Sequence, residues 1–194
     1  MQIKTYEVRR HLSITQINLV LLSVCTHIVE NKKRVMEERK IVTSVLVYSY
    51  EELPEEYRML VDEAKRATQS SYAPYSGFNV GAAVLLSNGE VVSGTNQENA
   101  AYPSGLCAER TTMFYANSRY PDVAPKALAI ATFAGGDFLE EPITPCGACR
   151  QVLLETEMRY GVDIDVLLYG KKGVYVVKSV KALLPLAFDK GALR

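Results

Sequence analysis

The chain has 194 residues, of which 48% are hydrophobic and 23% are charged. This composition is typical of a globular protein that buries a core, and it excludes an intrinsically disordered chain. Lysine and arginine together number 22, as do aspartate and glutamate, so the formal net charge is zero. A neutral balance argues against a broad surface for nucleic acid or for anionic membranes, and favours a small polar partner.

The N-terminal part of the chain differs from the rest. We interpret residues 1–35 as an extension that precedes a single domain, residues 36–194. An apolar stretch at 14–29 follows two arginines, but it is too short and too polar for a membrane span. It resembles a signal peptide in that a charged segment precedes an apolar one. The alternatives are a disordered or helical extension, or an untranslated stretch with Met36 as the true start.

The remaining chain alternates between helical and extended patterns. Pro54 suits the first turn of a helix, and Asn88-Gly89 is a strong hairpin signal because both residues tolerate positive φ. Residues 42–48 are apolar and β-branched, which indicates an extended arm or a short strand. In chain order we predict a helix at 54–69, strands at 78–86 and 91–97, a helix at 107–118, a strand at 126–133, a helix at 146–160, strands at 163–169 and 174–177, and a short helix at 181–184. Helices that alternate with strands predict an α/β sandwich.

Three of the four cysteines follow a pattern that is typical of a metal site. Cys146 and Cys149 are three residues apart at the predicted start of a helix, so both side chains share a face and can reach one ion. Cys107 stands at the start of another predicted helix, where the helix dipole stabilises a thiolate. Soft thiolates favour zinc. Three protein ligands leave a fourth position open, as in catalytic zinc sites.

Glu109 stands two residues after Cys107, where a carboxylate can lie beside zinc-bound water without binding the metal. A ligand, one further residue and Glu, with Pro-Cys-x-x-Cys later in the chain, matches the signature of zinc deaminases. Three thiolates leave the zinc site with a net negative charge, which Arg110 and Arg150 are placed to offset. Disulfides, a redox pair, or a structural zinc site completed from the N-terminal extension are alternatives, but none of them accounts for Glu109.

Five motifs follow one another through the chain, namely YSGF at 75–78, VGAA at 80–83, NQENAAY at 96–102, CAERT at 107–111 and PCGACRQ at 145–151, and LPLAF at 184–188 closes the series. In this order they resemble the small homotetrameric branch of the cytidine deaminase family, over roughly residues 53–194. The resemblance implies a three-layer α/β/α sandwich around a five-stranded mixed sheet. It also implies one zinc ion per subunit and a cytoplasmic homotetramer with shared active sites.

The resemblance assigns a role to each matching position. Zinc is bound by Cys107, Cys146 and Cys149, and Glu109 is catalytic. For the substrate, the resemblance implies that Asn96 and Glu98 bind the ribose 3′-hydroxyl, that Phe78 packs against the cytosine ring, that the Ala108 N–H binds the base carbonyl, and that Tyr75 lines the pocket. It implies that Ala100 and Tyr102 reach a neighbouring subunit's site and that Phe188 closes a pocket near the C-terminus. Around the metal, it implies that Arg110 bonds the thiolates and that Gln151 lies behind the ligands.

The implied reaction is hydrolytic deamination of cytidine and deoxycytidine to uridine and deoxyuridine, with release of ammonia, in pyrimidine salvage. Zinc-bound hydroxide attacks C4, and Glu109 shuttles protons to N3 and to the leaving amino group. One alternative is a deaminase of another cytosine nucleoside, such as a blasticidin-type antibiotic. A polynucleotide editor is disfavoured by zero net charge and the absence of tryptophan. A non-catalytic zinc-binding module is disfavoured by the presence of Glu109.

Overall fold

The computed structural model describes residues 37–193. The chain divides into two units, Met1–Lys40 and Ile41–Arg194, and the fold below is that of the second. The predictions for residues 1–35 lie outside the described residues. Within the part of the chain that is described, no helix is both long enough and apolar enough to span a bilayer.

The second unit contains three α-helices and seven strands among its described residues. In chain order these are β1 Leu46–Tyr48, α1 Glu55–Ala67, β2 Asn79–Leu86, β3 Val91–Thr95, α2 Ala108–Arg119, β4 Pro125–Ala134, β5 Asp137–Phe138, α3 Gly147–Tyr160, β6 Asp165–Gly170 and β7 Gly173–Val177. Short 3₁₀ turns lie at Thr68–Ser70, Tyr102–Ser104, Val180–Leu183 and Lys190–Leu193.

The strands form one mixed sheet in the order β1-β7-β6-β4-β2-β3, and β5 pairs with the end of β4. Strands β4 and β6 run parallel, and the other paired neighbours run antiparallel. The predicted α/β class is confirmed. The sheet has two more strands than the predicted five. One is β1, three residues long, which lies within 42–48, where the sequence indicated an extended arm or a short strand. The other is β5, whose two residues are too few to show the period of a strand.

Helices cover both faces of the sheet, as the sandwich prediction requires. Along β2, Val80, Ala82 and Val84 belong to a core shared with α2 and α3, whereas Ala83 and Leu85 belong to a second core shared with α1. This alternation follows from the two-residue period of a strand. The near-continuous apolar run of β2 is therefore explained by burial on both faces.

Two glycines let the helices approach the centre of the sheet closely. A Cβ atom on Gly81 would overlap the carbonyl oxygen of Ala64 in α1. On the opposite face, a Cβ atom on Gly94 would lie 2.7 Å from Thr112 Oγ1 in α2. The sheet therefore fixes the depth at which α2 packs, and with it the position of the residues at the start of that helix.

Candidate active site

A cleft of about 690 Å³ opens beside the N-termini of α2 and α3 and the ends of β2 and β3. Its walls contain eight of the residues singled out in the sequence, namely Phe78, Asn96, Glu98, Tyr102, Cys107, Glu109, Arg110 and Cys146. Positions that are far apart in the chain are thus brought together on one surface. The helix N-termini that meet here expose backbone N–H groups and a partial positive charge.

The three cysteines of the predicted metal site meet beside this cleft, and two of them, Cys107 and Cys146, form part of its wall. Cys107 immediately precedes α2, Cys146 immediately precedes α3, and Cys149 lies in the first turn of α3. Their sulfur atoms all lie within 4.8 Å of one another. The Cys107–Cys146 distance is 3.8 Å, and the Cys146–Cys149 distance is 3.4 Å. Sulfur atoms at zinc–sulfur bond length around a tetrahedral ion lie about 3.8 Å apart, so the three thiols fit one zinc ion.

The thiols of this group differ in their affinity for protons. The pKa of Cys107 is lowered to about 5, because its sulfur accepts hydrogen bonds from the Cys149 thiol and from the Arg110 guanidinium. The pKa of Cys149 is raised, because its thiol donates to Cys107 and because it is buried. A thiolate at neutral pH is therefore available at Cys107, and a metal ion that binds there displaces the remaining protons.

Arg110 lies beside these sulfur atoms. Its Nη2 atom is 3.8 Å from Cys107 Sγ and 3.5 Å from the carbonyl oxygen of Gly105. The guanidinium therefore places a positive charge next to the thiolates, where three sulfur ligands on one zinc ion leave a net negative charge. That Arg110 balances the charge of the thiolates stays a prediction from the sequence.

The guanidinium of Arg150 bonds oxygen atoms of neighbouring segments. Its Nε atom donates to the carbonyl oxygen of Pro145 at 2.8 Å, and its Nη2 atom donates to Thr144 Oγ1 at 2.9 Å. Its Nη1 atom donates to the carbonyl oxygen of Leu183 at 2.8 Å. The guanidinium braces the segment that carries Cys146 against the C-terminal turn, and its three bonds go to oxygen atoms rather than to sulfur.

Glu109 projects from the first turn of α2 into the cleft and is only 5% exposed. Burial raises the pKa of Glu109 above its ordinary value. A carboxyl group with a raised pKa exchanges protons more readily near neutral pH than an exposed one does. Ala108, immediately before it, is fully buried at the start of the helix.

The two residues expected at the ribose follow directly after β3, and both line the cleft. Asn96 Nδ2 donates to the carbonyl oxygen of Phe78, and Asn96 Oδ1 accepts from the N–H of Val80, each at 2.8 Å. Glu98 Oε2 accepts from the N–H of Tyr75 at 2.9 Å. Both side chains therefore form hydrogen bonds with the backbone of the segment that leads into β2. Asn96 keeps a second Nδ2 hydrogen, and Glu98 keeps further lone pairs.

Five of the expected site residues lie at the exposed rim of this cleft, as Tyr102 does, or outside its wall. Tyr75 and Tyr102 pack edge to face with ring centroids 6.3 Å apart, and Tyr102 is 77% exposed. Ala100 is exposed, and Phe188 is 62% exposed. Gln151 does not lie among the cleft residues, and its Nε2 atom donates to the carbonyl oxygen of Phe188 at 2.8 Å.

Known proteins are similar to this chain in sequence and in fold. A family model described as "Cytidine and deoxycytidylate deaminase zinc-binding region" matches residues 54–162. The chain belongs to this family. A cytidine deaminase from Halalkalibacterium halodurans is 42% identical over 131 residues, which cover 68% of this chain and 92% of that protein. A crystal structure of cytidine deaminase from Burkholderia pseudomallei matches with a TM-score of 0.57 and 40% identity, over 68% of this chain and 98% of that one.

The region that matches the cytidine and deoxycytidylate deaminase family includes the three cysteines and Glu109, whereas β1 and Phe188 lie outside it. Sequence reasoning did not assign site roles to several residues of the cleft wall, such as Ser76, Leu106 and Ile143. Ser76 stands inside the YSGF motif, so the motif was a signal that could have identified it. Leu106 and Ile143 are ordinary apolar residues, and nothing in their local sequence distinguishes them from core positions.

Proposed function

We propose that the protein catalyses zinc-dependent hydrolytic deamination of cytidine and deoxycytidine to uridine and deoxyuridine, with release of ammonia. The observation that carries this proposal is the meeting of Cys107, Cys146 and Cys149 next to a cleft whose wall also contains the buried carboxyl group of Glu109. A closed structural zinc site needs no buried carboxyl group beside it. A deaminase needs both parts.

The chemistry divides between the metal and Glu109. Zinc held by the three cysteines would supply a Lewis acid that makes water a stronger nucleophile. Glu109 would accept a proton from water and donate it to N3 of the cytosine ring, which makes C4 electrophilic, and the hydroxide left behind would bond to C4. Glu109 would then take the proton of the new C4 hydroxyl group and donate it to the amino group, so that the C4–N bond breaks and ammonia leaves. The raised pKa of Glu109 supports this role, because one group must accept and donate in turn.

The remaining cleft residues are proposed to hold the substrate. Phe78 packs against the base, and the N–H of Ala108 at the start of α2 holds the base carbonyl. Asn96 and Glu98 bind the ribose 3′-hydroxyl through the amide hydrogen and the carboxylate lone pairs that the YSGF segment leaves free.

Charge favours a nucleoside over a nucleotide. The charged side chains among the described cleft residues include two carboxyl groups, Glu98 and Glu109, and one guanidinium, Arg110, which lies beside Cys107. Bonds from Ser76 and from the N–H of Tyr75 lower the pKa of Glu98, so it is ionised at neutral pH. A 5′-phosphate entering this cleft meets negative charge. We therefore propose cytidine and deoxycytidine as substrates rather than deoxycytidylate.

The wider setting is also a proposal. We propose a cytoplasmic homotetramer in pyrimidine salvage, with one zinc ion per subunit and active sites shared between subunits. The exposed side chains of Tyr102 and Phe188 support shared sites, because large aromatic side chains are usually covered. We also propose that residues 36–194 form the catalytic domain and that 1–35 are an extension to it.

The test is an ultraviolet assay of the zinc-loaded protein on cytidine, deoxycytidine, deoxycytidine 5′-monophosphate and blasticidin S, with ammonia measured in parallel. We expect turnover of the two nucleosides and at least about 100-fold lower kcat/KM for the nucleotide. Preferential turnover of blasticidin S contradicts the substrate assignment. Absence of ammonia release from every compound identifies a non-catalytic zinc-binding module instead.

A further inference from the structure

The carboxylate of Glu98 is held by the turn that precedes β2. Glu98 Oε2 accepts from the N–H groups of Tyr75 and Ser76, at 2.9 and 3.3 Å. Glu98 Oε1 accepts from the hydroxyl of Ser76 at 2.5 Å. Three donors from two consecutive residues therefore fix a partly exposed carboxylate that otherwise samples several rotamers.

The hydroxyl of Ser76 makes a second bond, which fixes its own direction. Ser76 Oγ accepts from the N–H of Phe78 at 3.0 Å, so its single hydrogen is directed to Glu98. Gly77, between them, has a φ of +65°, the left-handed conformation that this tight turn requires. The result is a relay from the backbone of Phe78 through the Ser76 hydroxyl to the Glu98 carboxylate.

The relay lies within the cleft. Ser76, Phe78 and Glu98 all contribute to its wall, together with Asn96, whose side chain donates to the carbonyl oxygen of Phe78. The residue proposed to pack on the base and the residue proposed to bind the sugar are thus joined through one hydroxyl group.

We propose that Ser76 is a positioning residue for the substrate sugar: its hydroxyl sets the Glu98 carboxylate in the orientation that receives the ribose 3′-hydroxyl, and ties that orientation to the placement of Phe78. This inference rests on the proposed function, because the sugar is that of a cytosine nucleoside. Ser76 acts through Glu98 and needs no contact of its own with the reacting atoms.

The experiment compares Ser76→Ala with Ser76→Thr on cytidine and on 3′-deoxycytidine, which lacks the 3′-hydroxyl. For Ser76→Ala we expect kcat/KM for cytidine to fall about 10-fold, mostly through a higher KM, because the lost bond serves ground state and transition state alike. For 3′-deoxycytidine the loss should stay below about threefold, since Glu98 then has no hydroxyl to bind. Ser76→Thr keeps the hydroxyl and should restore cytidine turnover to within about threefold of the wild type.

Ser71→Ala is the matched control. Ser71 Oγ also bonds a side chain of the same region, Asn79 Oδ1 at 2.5 Å, but Ser71 is not among the residues of the cleft wall. Its kinetics on cytidine should match the wild type. Equal losses of Ser76→Ala on cytidine and 3′-deoxycytidine, or a loss below twofold on cytidine, overturn the positioning role. Failure of the wild type to deaminate cytidine overturns the proposed function instead, so the two failures are distinct.

Discussion

Glu109 combines burial with a position in the first turn of α2, beside the three thiols. Glu109→Gln keeps the shape of the side chain and removes its ability to carry protons. We predict that kcat on cytidine falls about 10³-fold, because a positioned acid–base group contributes 10²–10⁴-fold. Zinc content should stay at the wild-type value, since Glu109 is not a ligand. Steady-state kinetics and metal analysis of the same sample check both halves of the prediction.

The matched control for Glu109 is Glu155→Gln, on the exposed surface of α3 and outside the cleft wall. This change removes an equal charge and should leave kcat unaltered. Wild-type turnover by Glu109→Gln removes Glu109 from the mechanism. Zinc loss in that variant instead assigns Glu109 to metal binding.

Arg110 offers a test of how the protein balances three thiolate ligands. Arg110→Ala removes the positive charge that lies 3.8 Å from Cys107 Sγ. We predict a 10- to 100-fold weaker zinc affinity, about the cost of losing a partner of a metal ligand. Arg110→Lys keeps the charge but lacks the planar donor group, so its zinc affinity should lie between those of the wild type and Arg110→Ala. Competition with a chromophoric chelator measures the affinity, and identical values for all three proteins contradict the role.

At the scale of elements, the position of Cys146 depends on a crossing segment, residues 139–142, which lies across the turn between β6 and β7. The N–H groups of Lys171 and Lys172 donate to the carbonyl oxygens of Leu139 and Glu140, both at 3.0 Å. Gly170 permits this crossing, because a Cβ atom there would lie 2.6 Å from the backbone nitrogen of Pro142. The chain runs from the crossing segment through Ile143 and Thr144, which belong to the cleft wall, to Cys146 just before α3.

Gly170→Ala should therefore disturb both the fold and the metal site. We predict a loss of about 2–3 kcal/mol in the free energy of unfolding, the upper range for an overpacked site, together with weaker zinc binding. Gly173→Ala, in the same turn, is the control. Its Cβ atom would lie 3.2 Å from the carbonyl oxygen of Tyr48, which a small shift relieves, so we expect less than about 1 kcal/mol. Urea unfolding measures the stability of both variants. Equal stabilities show that the crossing segment shifts easily to accommodate the added methyl group, and contradict the prediction.

Local patterns were sufficient for the long elements and for the metal group. The helices predicted at 54–69, 107–118 and 146–160 match α1, α2 and α3 to within two residues at each end, and Cys-x-x-Cys at a helix start predicted two adjacent sulfur atoms. The roles of Arg150 and Ser76 depend on contacts with segments that the chain brings together only after folding. Arg150 bonds Leu183, 33 positions away, and Ser76 bonds Glu98, 22 positions away. Spacing within one element carries no information about such partners.

At the scale of the whole molecule, large apolar side chains are exposed at the rim of the cleft and in the C-terminal segment. Tyr102 and Phe188 are 77% and 62% exposed, and Leu186 is 86% exposed. Gln151 holds the backbone of Phe188, so this exposed side chain belongs to a tethered segment. A cyclic or dihedral assembly can cover such groups by placing each of them against a neighbouring subunit. We therefore expect Phe188 to complete the active site of another subunit.

Mixed assemblies test this expectation directly. Phe188→Ala keeps Glu109 but lacks the aromatic side chain, and Glu109→Gln keeps Phe188 but cannot transfer protons, so each variant alone should have low activity. If Phe188 serves a neighbour's site, coexpression of the two produces sites with Glu109 from one subunit and Phe188 from the other. Random assembly in equal amounts gives about one quarter of all sites this combination, so activity should recover to about a quarter of the wild-type value. If Phe188 serves its own subunit, no intact site forms and the mixture shows only the average of its two parents.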